Sequence, residues 1–96
     1  MYAVIFKAKI KQLDEAYRQT TAQLRELAEK QYGCREFVSI TQDDHEISIS
    51  YWDSLAQIQA WKQDAVHLAA QAKSPVWYQS IQIQVVEVVR EYGRTY

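Results

Sequence analysis

Trp61 and His67 are the residues of this chain best placed to do chemistry, and six positions separate them in AWKQDAVH. At about 100° per helical residue, six steps stop about 120° short of full turns. On a helix, Trp61 can therefore floor a pocket while His67 stands at its edge. A neutral imidazole has an unperturbed pKa near about 6.5, which suits it to accept a proton close to neutrality. An indole offers a flat apolar wall and an N–H free to bond a ligand. Trp52, Trp77 and Tyr78 are further candidate walls. Each of these side chains also serves as ordinary packing, and a Trp at helical spacing is more often core. Asp64 stands one turn before His67 and could pair with it, although an exposed carboxylate is the plainer reading.

Other chemistries find no support. There is no GxSxG, no phosphate-binding glycine loop and no Cys/His metal spacing. His45 closes the polar run Gln42–His45 and reads as a solvated turn residue. Cys34 is the only cysteine, so no intrachain disulfide can form, which fits a reducing compartment. It follows Gly33 near a helix C-terminus, where the dipole raises a thiol pKa, so it is not read as a nucleophile.

The elements that must hold Trp61 and His67 centre on Glu46–Ala72. Ile47, Ile49 and Tyr51 alternate with Glu46, Ser48, Ser50 and Trp52, the period of a strand over 46–52. Ser54 and Gln57 then form a capping box. Leu55, Ile58, Trp61, Ala65, Leu68 and Ala72 recur at helical spacing. This predicts a helix from Ser54 to about Lys73, with a break near Lys62–Asp64. Upstream, residues 2–10 read as a strand, 13–32 as a helix stopped by Gly33, and 35–42 as a strand in a hairpin with 46–52. Downstream, Ser74-Pro75 reads as a short turn with Pro75 in first helical position. A long strand over about 79–92 follows, its alternation slipping at Val85–Val86, where either a bulge sits or both faces are buried beyond that point.

The order β-α-β-β-α-β predicts one α+β domain over residues 1–96. Its form is ferredoxin-like, a four-stranded antiparallel sheet with helices on one face. The open sheet face and the overhanging last strand call for a second copy of the chain, hence a homodimer. Three Trp, seven Tyr and two Phe supply a core, an interface or an aromatic pocket. Eleven Lys and Arg against twelve Asp and Glu leave a net charge of −1, and the one cluster, Lys7, Lys9 and Lys11, reads as a solvated face. No nucleic-acid surface is expected. No apolar run approaches the roughly 20 residues of a membrane helix, and the start MYAVIFKAKIK lacks a basic lead. A soluble cytoplasmic protein with no membrane partner is the expectation.

With these residues in view, the chain resembles the antibiotic biosynthesis monooxygenase-like family of dimeric α/β barrels. The likeness rests mainly on SYWDSLAQIQAWKQDAVHLAAQ, from Ser50 to Gln71. The YAVIF opening, the Gly-stopped first helix and the long last strand support it. The resemblance implies a homodimer whose two sheets form one barrel, with a pocket between sheet and helices in each subunit. Some members oxidise polycyclic phenols with dioxygen and no cofactor, and others bind and degrade haem. A Trp at the place of Trp61 contributes to the pocket in both, and a polar aromatic residue follows it at the spacing of His67 in the phenol oxidisers. The haem degraders use an Asn on the first strand and a ligand His ten positions after the Trp. Here the strand Tyr2–Ile10 has no Asn and Gln71 holds the second place.

The expectation is a cofactor-free monooxygenase acting on a small phenol or quinol. His67 would take the proton, and Trp61, Trp52, Trp77 and Tyr78 would hold the ring. The alternatives are a non-catalytic dimer binding a small aromatic or apolar molecule, and haem binding.

Overall fold

The computed structural model describes residues 1–96. Its elements run β1 (Tyr2–Ile10), α1 (Glu15–Lys30), β2 (Glu36–Gln42), β3 (His45–Trp52), α2 (Leu55–Lys62), α3 (Ala65–Trp77) and β4 (Tyr78–Glu87). The strands form one antiparallel sheet in the order β2-β3-β1-β4. This is the ferredoxin-like arrangement expected from the sequence, with the second helix in two pieces.

Register decides what the helices see. Val4 stands between Ser50 and Val85, Phe6 between Ser48 and Ile83, and Ala8 between Glu46 and Ile81. Phe37 and Ser39 extend the first two rows on β2. Because side chains alternate, Glu46, Ser48, Ser50 and Trp52 turn to the helices, while Ile47, Ile49 and Tyr51 turn away. β3 therefore points its polar set inward. The apolar set lies on the outer face beside Val38 and Ile40, where Val38, Ile40 and Ile47 are 40%, 66% and 46% exposed.

Side-chain caps set the helix boundaries. Ser54 Oγ accepts from Gln57 N–H at 3.2 Å, and Gln57 Oε1 accepts from Ser54 N–H at 3.1 Å, the capping box of α2. Gly33 takes φ +84°, and a Cβ there would meet Gln57 Nε2 at 2.6 Å, so its bareness also makes room for that cap. The helix predicted from Ser54 breaks at Gln63–Asp64, where Asp64 Oδ1 accepts from Val66 N–H at 2.9 Å and starts α3.

Three expectations need correction. Pro75 does not begin a separate turn: α3 runs through it to Trp77. Proline leaves one carbonyl without its helical partner, but the chain after β1 anchors this last turn. Lys11 and Gln12 N–H donate to Trp77 O at 2.8 and 3.1 Å, and Lys11 Nζ donates to Pro75 O at 3.0 Å. The last strand ends at Glu87 rather than residue 92, because β1 runs out: Tyr2 pairs with Glu87, and Val88 N–H reaches Met1 O at 2.9 Å. No bulge sits at Val85–Val86, which pair in step with Val4 and Ala3; the register shifts between Lys9 and Ile10 instead.

The buried core gathers at one end of the sheet, where Val4, Ala28, Cys34, Trp52, Ile58 and Trp61 pack together. No helix is long and apolar enough to cross a membrane.

Candidate functional site

Beyond that core the inner sheet face and the helices part, leaving a cavity of about 450 Å³. Such a volume is within the range of about 300–1,000 Å³ typical of small-molecule pockets. Val4, Phe6 and Ile83 form its apolar floor, α1 gives Tyr17 and Leu24, and α3 gives His67 and Trp77. His67 and Trp77 stand at opposite ends of that helical wall, about 15 Å apart at about 1.5 Å per residue. The cavity is therefore a slot with two chemically different ends.

At one end Trp61 lies edge-to-face with His67, ring centroids 4.6 Å apart, and against Phe37 at 6.3 Å. Contrary to the expectation from the sequence, its indole N–H is not free for a ligand, because Nε1 donates to Leu24 O at 3.1 Å. Gln71 Nε2 lies 3.3 Å from His67 Nδ1. Which group donates in this contact is set by the tautomer of the imidazole. Burial, then the positive charge of Lys62, pushes His67 below the ordinary histidine value. His67 is thus held neutral near neutral pH.

Asp64 does not pair with His67. Besides capping α3, its Oδ2 accepts from the Tyr32 hydroxyl at 2.6 Å. That bond, with the Val66 N–H, lowers the Asp64 carboxyl. Trp52 also departs from expectation as a pocket wall. It is fully buried in the core, stacked at 5.2 Å on Trp61, with Nε1 donating to Ser50 Oγ at 2.9 Å, and it does not border the cavity. Trp61, His67, Trp77 and Tyr78 do border it.

The other end holds a residue that the sequence reading passed over. Glu46 is 4% exposed and borders the cavity. The Tyr17 hydroxyl donates to its Oε1, and the Tyr78 hydroxyl donates to its Oε2 at 2.8 Å. These tyrosines are placed by Asp14. Its Oδ1 accepts from Tyr17 N–H at 2.8 Å, capping α1, and from Trp77 Nε1 at 3.1 Å, tying the start of α1 to the end of α3. Tyr17 packs edge-on to Trp77 at 5.4 Å and to Tyr78 at 6.2 Å. The cross-strand neighbours of Glu46 are Ala8 and Thr41, and no cation pairs with it. Burial pushes the Glu46 carboxyl above its ordinary value, and the Tyr78 hydrogen bond offsets part of that rise. Burial, then Glu46 itself, pushes the Tyr78 phenol up.

The signal for Glu46 lay in the alternation of β3. Trp52, a core residue, shares its parity with Ser50, Ser48 and Glu46, so a buried Trp52 commits the carboxylate to the inside.

Fold and site together define a ferredoxin-like α+β protein with an aromatic slot between sheet and helices. The chain belongs to the Antibiotic biosynthesis monooxygenase family, whose model matches residues 1–73. It is 36% identical over 92 residues to YqjZ, an uncharacterised protein of Bacillus subtilis (strain 168), across 94% of this chain and 81% of that one. Among solved structures, Rv0793 from Mycobacterium tuberculosis superposes with a TM-score of 0.81 at 14% identity, covering 96% of this chain and 98% of that one. SnoaB, a cofactor-independent oxygenase from Streptomyces nogalater, superposes with a TM-score of 0.80 at 6% identity, covering 97% of each chain. At such identities the two structures speak for the fold.

The haem-degrading constellation is not present in this chain. Where the haem-degrading pattern needs a ligand histidine, Gln71 offers an amide already engaged with His67, and β1 has no asparagine.

Proposed function

We propose that the protein is a cofactor-independent monooxygenase acting on a small phenol or quinol held in the slot. One observation carries this reading: a cavity of about 450 Å³, walled mainly by aromatic and aliphatic side chains with Arg25 and Lys62 also on its border, holds a carboxylate that no cation pairs with. A phenol gives up an electron to dioxygen far more readily as its anion, so the protein's task is to bind the ring and remove one proton. The anion then reduces dioxygen, the resulting pair joins at a ring carbon, and the hydroperoxide loses water to leave a quinone. Phenol plus dioxygen gives quinone plus water, and every electron the ring loses is taken up by oxygen. The description of SnoaB as a cofactor-independent oxygenase is consistent with this chemistry on this fold.

In this reading Trp61, Trp77 and Tyr78 flank the ring, and His67 offers Nε2 to a polar group of the substrate. The working unit is a homodimer formed through the outer sheet face and the segment after β4. The exposed apolar row Val38, Ile40 and Ile47 supports it, as do Val89 and Tyr92, 93% and 85% exposed beyond the last paired residue.

The test is oxygen consumption by the purified protein with a panel of phenols and quinols. Uptake with matching quinone formation, reduced in His67→Ala, is expected. Binding of the panel with no uptake above the protein-free rate would instead leave a non-catalytic binding protein.

A further inference from the structure

Resting on that reading, we infer that Glu46 is the group that takes the substrate's proton, and that Tyr17 and Tyr78 then hold the anion so formed. The site is at the far end of the slot from Trp61 and His67, where the family likeness places its chemistry.

A carboxylate offers about four acceptor positions. Tyr17 fills one on Oε1 and Tyr78 one on Oε2, which leaves each oxygen able to accept from a ligand hydroxyl. Both bonds already made come from phenols, so the local geometry suits a phenolic O–H. The alternative base, His67, stands at the other end of the slot and already contacts the Gln71 amide at 3.3 Å through Nδ1.

No cation pairs with Glu46, although Arg25, Lys62 and His67 border the same cavity. From α1 it meets Tyr17, from β4 Tyr78, from β1 Ala8 and from β2 Thr41. Lys7 and Lys9 alternate onto the opposite sheet face, opposite Ile47 and His45. A carboxylate kept in an apolar site by hydroxyls alone is a stronger base than one in water, which brings it closer to a phenol.

In the proposed step the substrate O–H bond breaks and its electron pair stays on the phenol oxygen. The proton forms a new O–H bond on a Glu46 oxygen. The carboxyl is then neutral and a weaker acceptor, so the Tyr17 and Tyr78 hydroxyls are released to donate to the phenolate. Each hydroxyl gives up a charge-assisted bond to the carboxylate and gains one to the phenolate, so the negative charge stays hydrogen-bonded before and after the transfer. The ligand class is a small aromatic carrying a weakly acidic O–H.

p-Nitrophenol tests this directly, because its anion absorbs in the visible and its neutral form does not. The probe is added to the whole protein at a pH where it is protonated in solution. Binding is followed by quenching of tryptophan fluorescence and ionisation by the phenolate band. Wild type should bind and show the band, and Glu46→Gln should bind without it. The double variant Tyr17→Phe/Tyr78→Phe keeps the carboxylate and loses both hydroxyls, and its phenolate band should move to longer wavelength, because an anion that accepts fewer hydrogen bonds absorbs at lower energy. It gives an answer even if Glu46→Gln does not fold. A full band in Glu46→Gln, an unshifted band in the double variant, or binding to wild type with no band overturns the assignment at this end of the slot and leaves the oxygenase reading standing. No binding together with no oxygen uptake from any phenol overturns the oxygenase reading as well.

Discussion

Replacing Glu46 by glutamine should make the protein's stability less sensitive to rising pH. Burial holds the Glu46 carboxyl above its ordinary value of 4.5 in the folded chain. Between 4.5 and the raised value, the folded state keeps a proton that the unfolded state has released. Stability follows the protons bound by the unfolded state minus those bound by the native state, so it falls as pH rises through this window. Above the folded pKa the cost is fully present, at about 1.4 kcal/mol for each unit of elevation. In a domain of this size about 1 kcal/mol moves Tm by about 4–8 °C, so each unit corresponds to about 5–10 °C. Glutamine keeps the length and an acceptor oxygen but does not titrate. The assay is a pair of thermal melts, wild type and Glu46→Gln, from about pH 4 to pH 8. Titrations shared by both proteins, Asp64 and His67 among them, cancel in the difference. The variant's Tm advantage should grow with pH above 4.5 and then level off. A flat difference, or one that shrinks with rising pH, would show that the carboxylate is at ease in its site and would refute the argument for a strengthened base.

His67 carries the opposite sign. Its folded pKa lies below the ordinary 6.5, so the unfolded chain binds the extra proton and wild type should lose stability relative to His67→Asn as pH falls through 6.5; melts between about pH 5 and pH 8 check this. Ser54→Ala removes the Ser54 side of the capping box on α2 and should lower stability by about 1 kcal/mol, or about 4–8 °C in Tm, measured by circular dichroism. Ile40→Lys with Ile47→Lys places two charges on the outer sheet face, where both side chains are exposed in the single chain. Light scattering on the wild type should give twice the chain mass, and on the variant one chain mass with unchanged helix and strand content; a dimer that persists would remove that face from the interface.

Much of the architecture is legible in local chemistry. The capping box at Ser54 and Gln57, the break before Asp64 and the left-handed turn at Gly33 need only near neighbours, and all three are present. The boundaries that departed from expectation depend on distant partners. Lys11 and Gln12 hold the turn that carries α3 through Pro75, and β4 stops where β1 has no more residues to pair. The slot itself is half legible. Trp61 and His67 stand out by spacing, but that Nε1 of Trp61 is used by Leu24 follows only from packing α1 on α2. Nothing local marks Glu46, because an acid on an alternating strand ordinarily faces solvent. In β3 that pattern fails, because the outer face takes the apolar set and Tyr17, Tyr78 and the serines make the inner face polar.

The most direct test of the central claim is isotopic. Wild-type protein is given a phenol that it binds, under ¹⁸O-labelled dioxygen in ordinary water, and the quinone is analysed by mass spectrometry. One labelled oxygen per quinone is expected from wild type, with product formation lost in Glu46→Gln. Unlabelled quinone, or labelled quinone formed equally well without the Glu46 carboxylate, would contradict oxygenation driven by proton removal in this slot.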